Sequence, residues 1–147
     1  MVKIKRITTL KTYNQYADDL HTLLVPYLKK SGCEDIDILQ VMKLQCHNPY
    51  HFSCIILEDE VPKGFLMASI VHTLSHNRIV IEHLYAPNMK LVLQVYKVIC
   101  DKLSKDFDIP KSNIYFMTYR NPESWVRYCK KQGINTYLSS YVLRIKE

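Results

Sequence analysis

The chain has 147 residues, 48% of them hydrophobic, which is enough to bury one core, and we expect a single domain over residues 1–147. No stretch reaches the roughly 18 consecutive apolar residues of a membrane helix, and the N-terminus lacks the apolar core of a signal peptide, so we expect a cytoplasmic protein without a membrane partner. The net charge of +6 suits an anionic partner, but the lysines are spread in runs no longer than Lys29–Lys30. This spread is typical of a solvated surface and argues against nucleic acid, with a basic groove interleaved with tyrosines as the alternative.

The first half of the chain predicts one strand, two helices and a hairpin. Thr12 is the predicted cap of the first helix, Gly32 its end, and Pro26 lies in its last turns. Helical spacing of apolar residues defines both helices, and two apolar runs around an acidic turn define the hairpin. The predicted elements are strand 2–7, helix 13–30, helix 35–46, strand 51–57 and strand 64–71.

The second half predicts a central strand followed by a long helix. The β-branched run in strand 78–85 suits a strand covered on both faces, and Asn88 can cap the helix that runs to Phe107. Asn121 followed by Pro122 is a strong helix start, a capping side chain and then a proline at the first helical position, and Gly133 ends that helix. The remaining predictions are strand 114–120 and a single alternating strand over residues 136–146.

A group of cysteines and histidines has the composition of a zinc site. Four residues of types that bind zinc lie within nine positions of one another: Cys46, His47, His51 and Cys54. However, the strand pattern from His51 puts positions 51 and 54 on opposite faces, which favours a structural role. The odd number of cysteines and the lack of a CxxC pair predict reduced, mostly buried thiols.

The predicted order is β-α-α-β-β-β-α-β-α-β, a mixed α/β (α+β) sheet with helices packed on it. This order resembles the GNAT superfamily of N-acetyltransferases over nearly the whole chain, and the resemblance implies a mostly antiparallel sheet with helices on both faces. The local matches are residues 81–87, residues 121–128, and Gly133 with Ile134. The composition also resembles that of short bacteriophage proteins of this kind, for which the host cytoplasm or the virion would be the location.

The resemblance implies acetyl-CoA as the cofactor. The first match corresponds to the strand whose backbone, here at Leu84 and Ala86, bonds the pantetheine arm, and the second places Asn121 near the cofactor.

The pyrophosphate of coenzyme A is bound in the family by a pattern like [RQ]-x-x-G-x-[GA]. The equivalent stretch here, residues 87–93, contains no glycine, the residue that lets a backbone approach a phosphate closely. A helix N-terminus remains, formed by Met89, Lys90 and Leu91, and Lys90 can act as a point charge. We therefore expect acetyl-CoA binding to be weak or lost.

The resemblance also implies direct transfer of an acetyl group to an amine acceptor, which needs a base and an acid. Glu82 on the central strand is the candidate base, or alternatively a paired structural residue. Tyr128 is the candidate acid, or alternatively a packed aromatic. His83 is expected to face the opposite side of the strand from Glu82, in a core or surface role, and Trp125 is expected in the core.

Two functions remain open from the sequence. The first is an acetyl-CoA-dependent N-acetyltransferase with an eroded pyrophosphate loop, whose partners are acyl-CoA and an unknown amine. The second is a non-catalytic binding module of the same fold with a protein partner. Because Pro87 cannot donate a ladder hydrogen bond, we expect the central strand to part from strand 114–120 and open a cofactor slot. Continuous pairing there would exclude the first function.

Overall fold

The computed structural model describes residues 1–31, 37–72, 76–118, 121–140 and 142–146, with only the backbone at 30 and 31. Among these residues, seven strands form one sheet and four α-helices flank it. The strands are β1 (Val2–Arg6), β2 (His51–Glu58), β3 (Val61–His72), β4 (Asn77–Tyr85), β5 (Ile114–Met117), β6 (Thr136–Ser139) and β7 (Val142–Ile145). The helices are α1 (Leu10–Ser31), α2 (Ile38–Gln45), α3 (Met89–Phe107) and α4 (Pro122–Lys131). No helix in the described part of the chain is long and apolar enough to cross a membrane.

The sheet order is β1-β2-β3-β4-β5-β7-β6, and every neighbouring pair is antiparallel except β4 with β5. This confirms the predicted mixed, mostly antiparallel sheet. Two buried clusters lie on its two faces. One joins α3 and α4 to the sheet, and the other joins α1 and α2 to β2 and β3.

The predicted coverage of both faces of the central strand fails in part for β4, whereas β2 is covered on both faces. Residues 51–57 of β2 are all buried. In β4, Ile79 and Ile81 are buried beneath α3, whereas Arg78 and Val80 on the other face are only half-buried. The central strand therefore has an open side in its first half.

Several predicted boundaries are wrong. Helix α1 starts at Leu10, because Thr9 is its cap: the Thr9 hydroxyl oxygen accepts from the Thr12 amide at 3.1 Å. Helix α2 starts at Ile38 with Asp37 as its cap, whose carboxylate accepts from the Gln40 amide at 3.0 Å. The predicted helix end at Gly32 and helix start at Asp35 lie outside the described residues.

The turns explain the remaining differences. The β2–β3 hairpin turns on Asp59 and Glu60, both with positive φ (52° and 66°), so the turn has two residues and both strands are longer than predicted. The single strand predicted over residues 136–146 is instead the β6–β7 hairpin, which turns at Ser140 with φ 54°. Strand β5 ends at Met117, so the predicted strand is too long at Thr118, and its last residues, 119 and 120, are outside the described residues.

Candidate functional site

A cleft opens where β4 and β5 part. Parallel pairing joins residues 79–81 to residues 114–116 and stops there, while β4 continues to Tyr85. The cleft has a volume of about 480 Å³ and lies between the end of β4, the start of α3 and one side of α4. Among the described residues the predicted separation of the two strands is confirmed, but it begins at residue 81, before Pro87, so the missing proline donor is not its cause.

The cleft brings together five of the predicted site residues. Leu84 and Ala86 come from the end of β4, Met89 from the first turn of α3, and Asn121 and Tyr128 from α4 and its start. The predicted residues Glu82, Lys90 and Leu91 do not line it. Leu91 is buried in the core beneath α3, and Lys90 is exposed.

A β-bulge in β4 decides which side chains face the cleft. Met67 of β3 pairs with His83 and Ala68 pairs with Ile81, so Glu82 is an extra residue without a partner opposite it. The bulge shifts the alternation of β4. Ile81 packs beneath α3, and Leu84 and Ala86 take that face after the bulge, where an unbulged strand would have placed His83 and Tyr85.

The bulge also turns two consecutive polar side chains to one face of the sheet. Glu82 accepts a hydrogen bond from the Ser69 hydroxyl at 2.7 Å, and His83 bonds Tyr27 of α1. Ser69 is two positions from Met67 on β3 and so points to the same face, where Met67 packs against α1 and α2. Glu82 and His83 therefore both lie on the α1 face of the sheet. The prediction that His83 faces away from Glu82 is therefore wrong, because a bulge interrupts the period of two.

Tyr27 and His83 form a buried pair that the sequence did not identify as part of a site. The Tyr27 hydroxyl and Nδ1 of His83 share a hydrogen bond of 2.6 Å, and Tyr27 also lines the cleft. Its ring packs edge-on against Phe65 at 5.2 Å between centroids. Burial lowers the pKa of His83, and the charge of Glu82 opposes that shift. A neutral imidazole thus lies one hydrogen bond behind the cleft wall.

A second buried histidine lies further along the same face. His51 bonds the Ser53 hydroxyl through Nε2, and it pairs with Ser69 across the β2–β3 ladder. Burial lowers the pKa of His51, with Glu82 opposing and Arg6 reinforcing the shift. Glu82 therefore acts electrostatically on two imidazoles at once.

Strand β3 approaches the cleft end of β4 so closely that only glycine fits at position 64. A Cβ atom there would lie 2.0 Å from the backbone oxygen of Tyr85 and 3.2 Å from Cα of Ala86. The missing side chain lets the two strands stay paired next to the cleft.

The N-terminus of α3 is capped by the protein itself. Asn88 has extended backbone angles, its side-chain oxygen accepts from the Leu91 amide at 2.9 Å, and its carbonyl accepts from Val92 at 3.1 Å. The predicted cap is confirmed. The amides of Met89 and Lys90 are then the first-turn donors left for an anion.

Helix α4 begins differently from the prediction. Asn121 adopts a left-handed conformation with φ 48°, and its side chain makes no capping hydrogen bond. The helix start relies instead on Pro122 in its first turn and on the Asn121 carbonyl, which accepts from the Ser124 amide at 3.0 Å. The exposed Asn121 carboxamide is therefore free of a capping role at the cleft.

Both aromatic residues of α4 line the cleft. Trp125 is half-buried and packs edge-on against Phe116, with ring centroids 4.9 Å apart, so the expected core role holds in part and the residue also forms part of the cleft wall. Tyr128 is 40% exposed, and the Lys131 ammonium lies 5.7 Å from its ring centroid. Tyr128 lines the cleft.

The cysteine and histidine group does not converge. His51 lies on the α1 side of the sheet, and Cys54 is buried in the cluster on the α3 side, as the strand pattern predicts. Among the described residues, no group of three His, Cys, Asp or Glu side chains could hold a metal ion. Cys46, Cys54, Cys100 and Cys129 are free and buried, and burial raises the pKa of the Cys54 thiol to about 12. Cys33 is outside the described residues.

Solved acetyltransferase structures share the fold of this chain, although the sequences are only distantly similar. No protein-family model matches the chain, and no curated protein matches it. Among solved structures, an acetyltransferase from Thermus thermophilus superposes with a TM-score of 0.65 at 15% identity, over 99% of this chain and 94% of the other. Ribosomal-protein-alanine N-acetyltransferase from Brucella melitensis gives 0.64 at 14%, over 96% and 97%. A predicted acetyltransferase with acetyl-CoA from Clostridium acetobutylicum gives 0.63 at 15%, over 95% and 92%. The chain therefore has the GNAT-like fold of these acetyltransferases.

Proposed function

We propose that this protein is an acetyl-CoA-dependent N-acetyltransferase that acts in the cleft between β4 and β5. The observation that carries the proposal is the end of the described β4–β5 pairing at residue 81, beside a cleft of about 480 Å³ that the end of β4 lines. That volume is in the range of small-molecule sites. The shared fold, including one neighbour with acetyl-CoA, supports the same function.

The cleft residues fit the arm and the thioester end of the cofactor. An amide-rich arm can add to the strand edge at Leu84 and Ala86 through backbone hydrogen bonds. Leu84, Val92 and Phe116 give the cleft an apolar lining that excludes water. When bound, acetyl-CoA supplies an activated acyl group as a thioester.

The phosphate end fits less well, and we propose that it weakens binding. The connection from β4 to α3 is residues 86–88, without glycine, and the Asn88 side chain already occupies the Leu91 amide. Two amides, at Met89 and Lys90, and the exposed Lys90 ammonium remain for the pyrophosphate. In this proposal the phosphate loop is eroded because a side chain of the protein, that of Asn88, accepts a first-turn hydrogen bond that a phosphate would otherwise accept.

We assign the chemical roles from position and hydrogen bonding. Glu82 lies outside the cleft lining, on the α1 face of β4, where the Ser69 hydroxyl holds its carboxylate, and it takes the proton of an acceptor ammonium that approaches from that face. Tyr128, on the cleft border, donates a proton from its hydroxyl to the departing thiolate sulfur. The backbone amides near Leu84 and Ala86 polarise the carbonyl oxygen.

The test is a thermal melt with acetyl-CoA, followed by an assay of free thiol release with amines. At a ligand concentration five times Kd the stabilisation is about 1 kcal/mol, which raises Tm by about 2–4 °C in a domain of this size. We expect that shift at millimolar acetyl-CoA, and thiol release with at least one of a polyamine, an aminoglycoside or a peptide with a free N-terminus. Tyr50→Phe, at an exposed tyrosine outside the cleft, is the control and should match the wild type.

The second candidate function is a non-catalytic module of the same fold. The Asn88 cap favours it, because a helix N-terminus satisfied by its own chain has less to offer a phosphate. Folded protein that shows no melting shift at any acetyl-CoA concentration and releases no thiol would overturn the enzyme and leave this module.

A further inference from the structure

Five side chains on or directly beside four neighbouring strands form a continuous row of alternating cations and tyrosines. The Arg78 guanidinium of β4 and the Arg144 guanidinium of β7 each lie 5.3 Å from the ring centroid of Tyr115 on β5. Arg144 lies 5.2 Å from the ring of Tyr137 on β6, and the Lys146 ammonium lies 4.8 Å from that ring. We call these five residues the cation–tyrosine row.

The row lies on the open face of the sheet. Its neighbours along the strands, Ile79, Ile114, Phe116 and Leu143, pack into the core beneath α3 and α4, so the row points the other way. The helices on that other face cover β2 and β3, and their cluster contains no residue of β5, β6 or β7. Tyr137 is 46% exposed and Lys146 is exposed, so that end of the row is accessible to a partner, while Arg78, Tyr115 and Arg144 are half-buried.

The positive charge of the row is not neutralised within the described residues. None of them forms an ion pair with Arg78, Arg144 or Lys146, and β5, β6 and β7 contain no acidic residue. Glu82, on β4, is hydrogen-bonded to Ser69. The Arg144 guanidinium donates one hydrogen bond to the Ser112 carbonyl at 3.3 Å, and its other N–H groups can donate to a ligand.

We propose that the cation–tyrosine row binds single-stranded nucleic acid. Arg78, Arg144 and Lys146 fit the phosphates, and the interleaved rings of Tyr115 and Tyr137 fit bases, a combination that a purely acidic polypeptide does not require. The four strands span about 14 Å at about 4.8 Å a step, the width of a sheet on which two or three bases stack. This site is separate from the cleft, since none of the five residues lines it.

The experiment measures binding of a fluorescent 12-nucleotide oligouridylate by anisotropy, on the whole chain without acetyl-CoA. We expect Arg144→Gln and Lys146→Gln to weaken binding and each to reduce the slope of log K against log salt by about 0.7, one counterion contact on a single strand. Tyr137→Leu should weaken binding roughly 5- to 150-fold through lost stacking. Lys146 and Tyr137 are exposed, so these two variants keep the fold even if Arg144→Gln is unstable.

Matched controls separate the row from general basicity. Lys11→Gln on α1 removes an exposed lysine elsewhere, and Tyr50→Leu removes a tyrosine of similar exposure at 53%; both should bind as the wild type does. Three results would overturn the proposal: no binding of the oligonucleotide, equal losses in the controls, or a polyglutamate peptide that binds as tightly and is insensitive to Tyr137→Leu. The last result would assign the row to acidic polypeptides.

Discussion

Replacing Gly64 by alanine tests the contact that shapes the cleft end of the sheet. The added Cβ would lie 2.0 Å from the backbone oxygen of Tyr85, about 1 Å inside the 3.0 Å that real Cβ atoms essentially never cross. Both atoms belong to paired strands, so no flexible side chain can move aside. Strands β3 and β4 must instead separate locally, beside Ala86 at the cleft.

The expected cost of this separation is that of overpacking, about 1–3 kcal/mol. At about 2–4 °C per kcal/mol for a domain of this size, Gly64→Ala should lower Tm by about 2–12 °C. Hydrogen exchange should quicken at the amides of residues 84–86, because the ladder there is disturbed. Differential scanning calorimetry and exchange mass spectrometry measure the two effects.

Gly133 provides the contrasting glycine. It has φ +73° and no atom within 4 Å of an added Cβ, so it is strained by a side chain without being crowded. Gly133→Asn should be tolerated better than Gly133→Ala, because asparagine visits the left-handed region more readily. Neither should change exchange at residues 84–86. If Gly64→Ala melts within about 1 °C of the wild type, a shift smaller than overpacking allows, the close approach of β3 to Tyr85 is wrong.

Three further predictions concern the site. Below pH 6.5 the free energy of unfolding should fall, because burial lowers the pKa values of His51 and His83 and protons then bind the unfolded chain preferentially. Its slope should reach at most about 1.4 kcal/mol per pH unit for each histidine, and urea melts that give the same stability from pH 7 to 5 would contradict the prediction. Tyr128→Phe should lower kcat by about 100-fold or more with Tm unchanged, and an unchanged kcat would remove its proposed role. Asn88→Gly should lower the free energy of unfolding by only a few tenths of a kcal/mol, and it should tighten acetyl-CoA binding because it frees the Leu91 amide. Weaker binding in a calorimetric titration would count against the capped-helix explanation.

The sequence predicted the elements whose signals are local. The apolar period and the capping residue located α3, and Asn88 caps it as predicted. The β6–β7 hairpin was missed because an alternating pattern continues unchanged through a turn that lacks glycine and proline, here at Ser140. The β2–β3 hairpin was predicted from its acidic turn, but the turn was predicted too long because its two residues, Asp59 and Glu60, are ordinary residues that adopt positive φ.

The site was predicted less completely because its geometry depends on contacts between distant residues. The bulge at Glu82 arises from the register of β4 against β3, and it moves Leu84 and Ala86 to the face of the sheet that Ile81 faces. Tyr27 and His83 are 56 positions apart, so their hydrogen bond has no sequence signal. The cation–tyrosine row likewise draws single residues from distant strands.

The two proposed ligands can be separated by salt, since charge is distributed unevenly between their sites. The phosphate end of the cleft offers Lys90 and two amides, so coenzyme A must gain most of its affinity from strand pairing and apolar contact, which salt screens weakly. The row offers a polyanion three cations that have no ion-pair partner in the described part of the chain, and its binding should fall with a slope near about −2 in log K against log salt. Raising the salt from about 50 to about 200 mM should therefore weaken oligonucleotide binding roughly 20-fold and leave the acetyl-CoA melting shift nearly unchanged. A parallel loss of both would place the two ligands on one surface, and it would contradict the assignment of the cleft and the row to different partners.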